Sequence, residues 1–96
     1  MEAFRFEVSG RVQGVYFRNH TVDRARALHL VGWVANTRRG TVVGECQGSP
    51  PDLAAMREWL ATEGSPMSHI DSCSITDERR VAALEHDSFE RRPTIA

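Results

Sequence analysis

The chain has 96 residues, 41% hydrophobic and 26% charged, enough for one compact domain with a modest core. Twelve basic against 13 acidic residues leave a formal charge of −1, which argues against a broad nucleic-acid footprint, because phosphate backbones demand a surplus of positive charge. Every basic residue is arginine, so chemistry that needs a lysine is excluded, and no apolar run reaches the roughly 18 residues of a membrane span.

Met1-Glu2-Ala3-Phe4-Arg5 enters a strand pattern at once, without signal-peptide character. Phe4, Phe6 and Val8 alternate with Arg5, Glu7 and Ser9, the period-two pattern of a strand with one buried face. Gly10 and Gly14 bracket a loop. From Phe17 to His29 the period turns helical, with Val22, Ala25 and Leu28 on one face. Val31 to Ala35 reads as a second strand, Asn36 to Gly40 as a turn, and Thr41 to Gln47 as a third strand.

Ser49, Pro50 and Asp52 are suited to a cap, a first helical position and a first turn. The second helix buries Leu53, Met56 and Leu60 and ends at Gly64-Ser65-Pro66. Ile70 to Thr76 predicts a fourth strand, Asp77 to Arg80 a polar turn, and Val81 to Leu84 a short helical turn. Ser88 to Arg92 predicts a short fifth edge strand, stopped by Pro93, with residues 93–96 a loose tail.

The order strand-helix-strand-strand-helix-strand predicts the ferredoxin-like split βαβ arrangement, an α+β fold (βαββαβ) with both helices on one face of an antiparallel sheet. Residues 1–96 read as a single domain with a core over about 4–92. On strand four, Cys73 and Ile75 share a face, so Cys73 reads as core. Two cysteines, Cys46 and Cys73, with no CxxC motif favour reduced thiols in a cytoplasmic protein over a bridge or a zinc site. An RNA-binding sheet of this topology would need aromatic residues on its open face, where strand one offers Ala3, Arg5 and Glu7.

The informative segment joins strand one to helix one: Gly10-Arg11-Val12-Gln13-Gly14-Val15-Tyr16-Phe17-Arg18. Glycines permit a tight turn and close backbone approach to a ligand. Successive N–H groups and the positive end of a helix favour an anion. Arg18 in the first turn can give two parallel N–H bonds to a phosphoryl group. On chemistry alone, an ordinary glycine turn beside a solvated arginine is the favoured reading.

That segment, followed by Gly32-Trp33-Val34-Ala35-Asn36-Thr37-Arg38-Arg39-Gly40-Thr41-Val42, resembles the two signature motifs of the acylphosphatase family. The likeness continues through Glu58-Trp59-Leu60 and Gly64 to Asp71 and covers about residues 4 to 92. The resemblance implies a ferredoxin-like fold and a metal-independent enzyme, without a cofactor, that hydrolyses the carboxyl-phosphate bond of acyl phosphates. It assigns phosphoryl binding to Arg18 and to the loop Gly10, Val12, Gln13, Gly14, Val15, Tyr16 and Phe17, and assigns Asn36 to positioning the attacking water. Inorganic phosphate would be product and competitive inhibitor, and the enzyme would act as a monomer with no nucleic-acid or membrane partner. Thr37 and Thr41 flank the turn beside Asn36, where they would either hold it by hydrogen bonds or serve strand and turn propensity alone. Arg38 and Arg39 suit a solvated turn or the steering of anions, and His20, His29, His69 and His86 read as surface or packing residues. A non-catalytic anion-binding module on the same fold is the alternative from another class.

Overall fold

In a computed structural model describing residues 1–95, strand β1 (Glu2–Arg11) leads into helix α1 (Phe17–Ala27). The chain continues through β2 (Val31–Asn36), β3 (Val42–Gly48), α2 (Pro50–Thr62), β4 (His69–Arg80) and β5 (Phe89–Arg91). The sheet order is β4-β1-β3-β2-β5. Both helices pack on one face of this sheet, and the rings of Phe17 and Trp59 join them at 5.6 Å between centroids.

The alternation of β1 decides which side is buried. Phe4, Phe6 and Val8 lie opposite Cys46, Gly44 and Val42 of β3, and Phe6 and Val8 lie opposite Ile75 and Cys73 of β4. Residues opposite one another share a sheet face, so these side chains meet Val22, Ala25, Leu53, Met56 and Leu60 in one core. Each large apolar side chain buried there contributes roughly 1.5–3 kcal/mol. Cys46 and Cys73 are both free. Strand β1 runs between their strands, and two strand spacings, about 9.6 Å, exceed what a disulfide spans.

Helix α1 ends earlier than the period suggested. His29 adopts φ 59°, and the pair His29 N to Arg26 O and Leu30 N to Ala25 O closes the terminus with a left-handed residue.

Four expectations need correction. The sheet is mixed, because β5 runs parallel to β2. Asp77 to Arg80 is strand, not turn: the pairing passes a bulge between Thr76 and Arg79, with Asp77 at φ 52°. The polar composition arises because β4 is an edge strand with one face in solvent. Val81 to Leu84 forms no helical turn, and Val81 N instead bonds Met1 O at 3.1 Å. The chain beyond Arg92 is bonded to the sheet as far as Ile95, whose N–H donates to Asn36 O and whose carbonyl accepts from Arg38 N; Ala96, the last residue of the expected tail, lies outside the described residues.

Candidate active site

The β1–α1 connection is narrower than the glycines suggested. Gly10 belongs to β1, opposite Ile70 of β4, and a Cβ there would stand 2.1 Å from the His69 carbonyl oxygen. Its glycine serves this close approach of two strands. The loop proper begins at Val12, which is buried. Gln13 turns away from the loop's mouth and donates from Nε2 to Thr37 O (2.8 Å) and Thr41 O (2.9 Å). Gly14 and Tyr16 take positive φ, 74° and 59°, and Phe17 anchors the start of α1 in the core.

This geometry leaves the first turn of α1 open. No side chain caps it, and it carries no acidic residue. The first N–H groups of a helix have no partner within it, and they gather the positive end of the helix dipole. An anion fits such an end.

Arg18 rises from that turn, half-buried, with Nη1 donating to Arg92 O at 3.1 Å. Burial and then the neighbouring charge of Arg91 lower its pKa, yet a guanidinium that starts near 12.5 stays a cation at neutral pH. Asn36 ends β2 on the other side. Among the described residues its buried Oδ1 has no hydrogen-bond partner, a costly condition unless something donates to it. Arg18, Asn36, Val12, Gly14, Tyr16, Phe17, Asn19 and Arg91 line one hollow of about 300 Å³. Of the expected phosphate-loop residues, Gly10, Gln13 and Val15 do not line it.

Thr37 and Thr41 do not hold the Asn36 carboxamide oxygen. Their hydroxyls bond one another at 2.7 Å, Thr41 N donates to Thr37 Oγ1, and Thr41 Oγ1 donates to Glu7 Oε2 at 2.7 Å. They brace the turn that follows Asn36. Thr41 and then Arg39, which reaches Glu7 Oε2 at 3.0 Å, hold the Glu7 carboxyl below its ordinary range. His20 and His69 are exposed, the latter 3.3 Å from Asp71 Oδ1. His86, read as a surface residue, is partly covered and bonds Glu45 Oε2 at 2.9 Å.

Two residues of the hollow escaped the sequence reading. Arg91 reaches across from β5 and donates from Nη1 to Asn19 Oδ1 at 2.9 Å. Only the parallel pairing of β5 on β2, with Arg91 opposite Val34, brings it beside α1. A larger hollow of about 400 Å³ lies at the far end of β1, where Arg57 pairs with Glu78 at 2.8 Å; among the described residues, no side chain with an orphaned buried polar atom lines it. Among the described residues, no group of three His, Cys, Asp or Glu could hold a metal ion, and no helix is long and apolar enough to cross a membrane.

A model of the acylphosphatase family matches residues 4–90. Acylphosphatase-1 of Gallus gallus is 51% identical over 87 residues, covering 91% of this chain and 88% of its own. Acylphosphatase-1 of Homo sapiens is 47% identical over 85 residues, covering 88% and 86%. The crystal structure of acylphosphatase from Bacillus subtilis superposes with a TM-score of 0.88 at 36% identity, over 96% of this chain and 99% of that one.

Proposed function

The chain belongs to the acylphosphatase family and is an acylphosphatase, an enzyme of acyl phosphate hydrolysis, and from that premise we propose that Arg18 and Asn36 carry the reaction in the hollow they share. The observation that carries this reading is that Asn36, whose buried Oδ1 has no hydrogen-bond partner among the described residues, lines the same 300 Å³ space as Arg18 and the uncapped turn of α1.

The phosphoryl oxygens sit on the free amides of the loop and first turn, and Arg18 clamps two of them with its fork. The Asn36 carboxamide hydrogen-bonds a water molecule and holds the water oxygen in line with phosphorus, one proton staying on that oxygen. The water oxygen bonds to phosphorus as the bond from phosphorus to the acyl oxygen breaks. The electron pair leaves on a carboxylate, and the second proton of the water passes to a phosphoryl oxygen of the substrate. The products are a carboxylate and dihydrogen phosphate.

A carboxylic acid has a pKa near 4, so this leaving group needs no proton. The loose transition state of phosphoryl transfer is accelerated mainly by positioning and by fixed positive charge. A guanidinium and a ring of amides supply that charge, so the reading is metal-independent and without a cofactor. Inorganic phosphate fits the same cradle and competes with substrate. We read the enzyme as a monomer, and two free thiols fit a reducing, cytoplasmic setting.

The test is turnover of benzoyl phosphate beside phenyl phosphate, with and without chelator and added phosphate. We expect hydrolysis of the acyl phosphate alone, no effect of chelator, and a KM raised by phosphate at constant kcat. Comparable hydrolysis of phenyl phosphate, or inactivation by chelator, would overturn this reading.

A further inference from the structure

Two guanidiniums reach the hollow. Arg18 is half-buried at the helix terminus, and Arg91 is exposed at the end of β5. Each is fastened by one uncharged oxygen: Arg18 by the Arg92 carbonyl at 3.1 Å and Arg91 by Asn19 Oδ1 at 2.9 Å. Among the described residues, no carboxylate stands within ion-pair distance of either. Two cations held side by side repel, and here no internal anion offsets the cost.

One phosphoryl group does not need both. The uncapped turn of α1 and the fork of Arg18 already converge on it. At the roughly 30 Å³ that a water-sized atom occupies, a PO₃ group fills on the order of 100 Å³, well short of the 300 Å³ available. The remaining space receives the acyl group. The exposed fork of Arg91 lines that same space. The Arg91 fork has one nitrogen on Asn19 Oδ1, which leaves a free edge of N–H groups spaced for the two oxygens of a carboxylate.

We propose that Arg91 is a specificity-determining residue that binds a carboxylate on the acyl portion of the substrate, so that the enzyme favours acyl phosphates of dicarboxylic acids. This rests on the reading of the hollow as the phosphoryl site.

The test compares kcat/KM for benzoyl, 3-carboxybenzoyl and 4-carboxybenzoyl phosphate in the native enzyme, Arg91→Met and Arg91→Lys. The native enzyme is expected to favour one of the carboxylated substrates over benzoyl phosphate. Arg91→Met should lower that ratio about five-fold, the range of an exposed ion pair. Arg91→Lys should keep part of it, and added salt should erode it in the native enzyme. A ratio unchanged in Arg91→Met overturns the inference. So does an equal loss on all three substrates with weakened inhibition by phosphate, which would make Arg91 a phosphoryl ligand. If the native enzyme left all three substrates intact, the phosphoryl-site reading itself would fall.

Discussion

Gln13 ties the two halves of the site together by gripping Thr37. Its Nε2 donates to the Thr37 carbonyl at 2.8 Å and to the Thr41 carbonyl at 2.9 Å. Gln13 lies in the loop that leads to Arg18, and Thr37 directly follows Asn36. The amide therefore sets the distance between the anion cradle and the carboxamide. Gln13→Leu keeps the bulk and removes both bonds, at a cost in stability of roughly 1–2 kcal/mol. A misplacement near 1 Å can cost up to about 100-fold in rate, so kcat should fall well beyond the fraction unfolded, with KM less changed. Urea denaturation and steady-state kinetics on the same sample separate the two. Native kcat alongside the stability loss would make the amide a purely structural staple.

Arg18 and Asn36 should fail differently. Arg18→Lys replaces a two-pronged donor by a point charge. Turnover should drop by about 10²–10³, and inhibition by phosphate should weaken with it. Asn36→Ala removes the orphaned acceptor and leaves the cradle intact. Its kcat should collapse while the inhibition constant for phosphate stays near the native value. If phosphate affinity falls with turnover in Asn36→Ala, then Asn36 is a phosphate ligand and water is held by something else.

The glycines of the two signature segments have different tasks. A Cβ at Gly10 would lie 2.1 Å from His69 O and 2.8 Å from Asp71 N, at φ +124°. Gly40, at φ +91°, has nothing within 4 Å of such an atom. Gly40→Ala therefore meets only the backbone penalty, about 1–3 kcal/mol. Gly10→Ala carries that penalty and must also push β4 away from β1, so its loss of stability should be the larger by chemical denaturation. Equal losses would mean that β4 yields freely at this point.

The parts of the fold that follow from local alternation were legible. Phe4, Phe6 and Val8 fixed the buried face of β1, and Leu53, Met56 and Leu60 fixed that of α2. What the sequence hid depends on neighbours far away in the chain. Asp77 to Arg80 is polar along its whole length, and only its pairing with Glu2 and Ala3 makes it a strand. Arg91 looks like one charge in a polar edge strand until β5 is laid parallel to β2. Asn36 was legible through its motif, but the emptiness around its Oδ1 was not, because that depends on Thr37 and Thr41 bonding each other. Glu45 alternates outward on β3 like any surface residue, yet Arg79 of β4 together with Glu85 and His86 of the segment after it cover Glu45 and Gln47.

That cover makes Glu45 the carboxylate on which acid stability depends. The side chain is 5% exposed, and burial by itself would raise its pKa. Hydrogen bonds from His86, Arg5 and Arg79 outweigh burial and bring it from 4.5 to about 2. A folded pKa below the unfolded one stabilises the protein above the unfolded value, and the contribution disappears as pH falls through the folded value. Glu45 should thus contribute in full above pH 4.5 and lose its contribution between there and pH 2, by on the order of 2–3 kcal/mol. Glu45→Gln should be less stable at pH 7, because Arg5, Arg79 and His86 lose their anion, and should show a flatter stability profile from pH 4.5 downward. Urea titrations of both proteins across that window decide the matter. Parallel profiles would assign the acid sensitivity to other carboxylates and reduce the Glu45 cluster to packing.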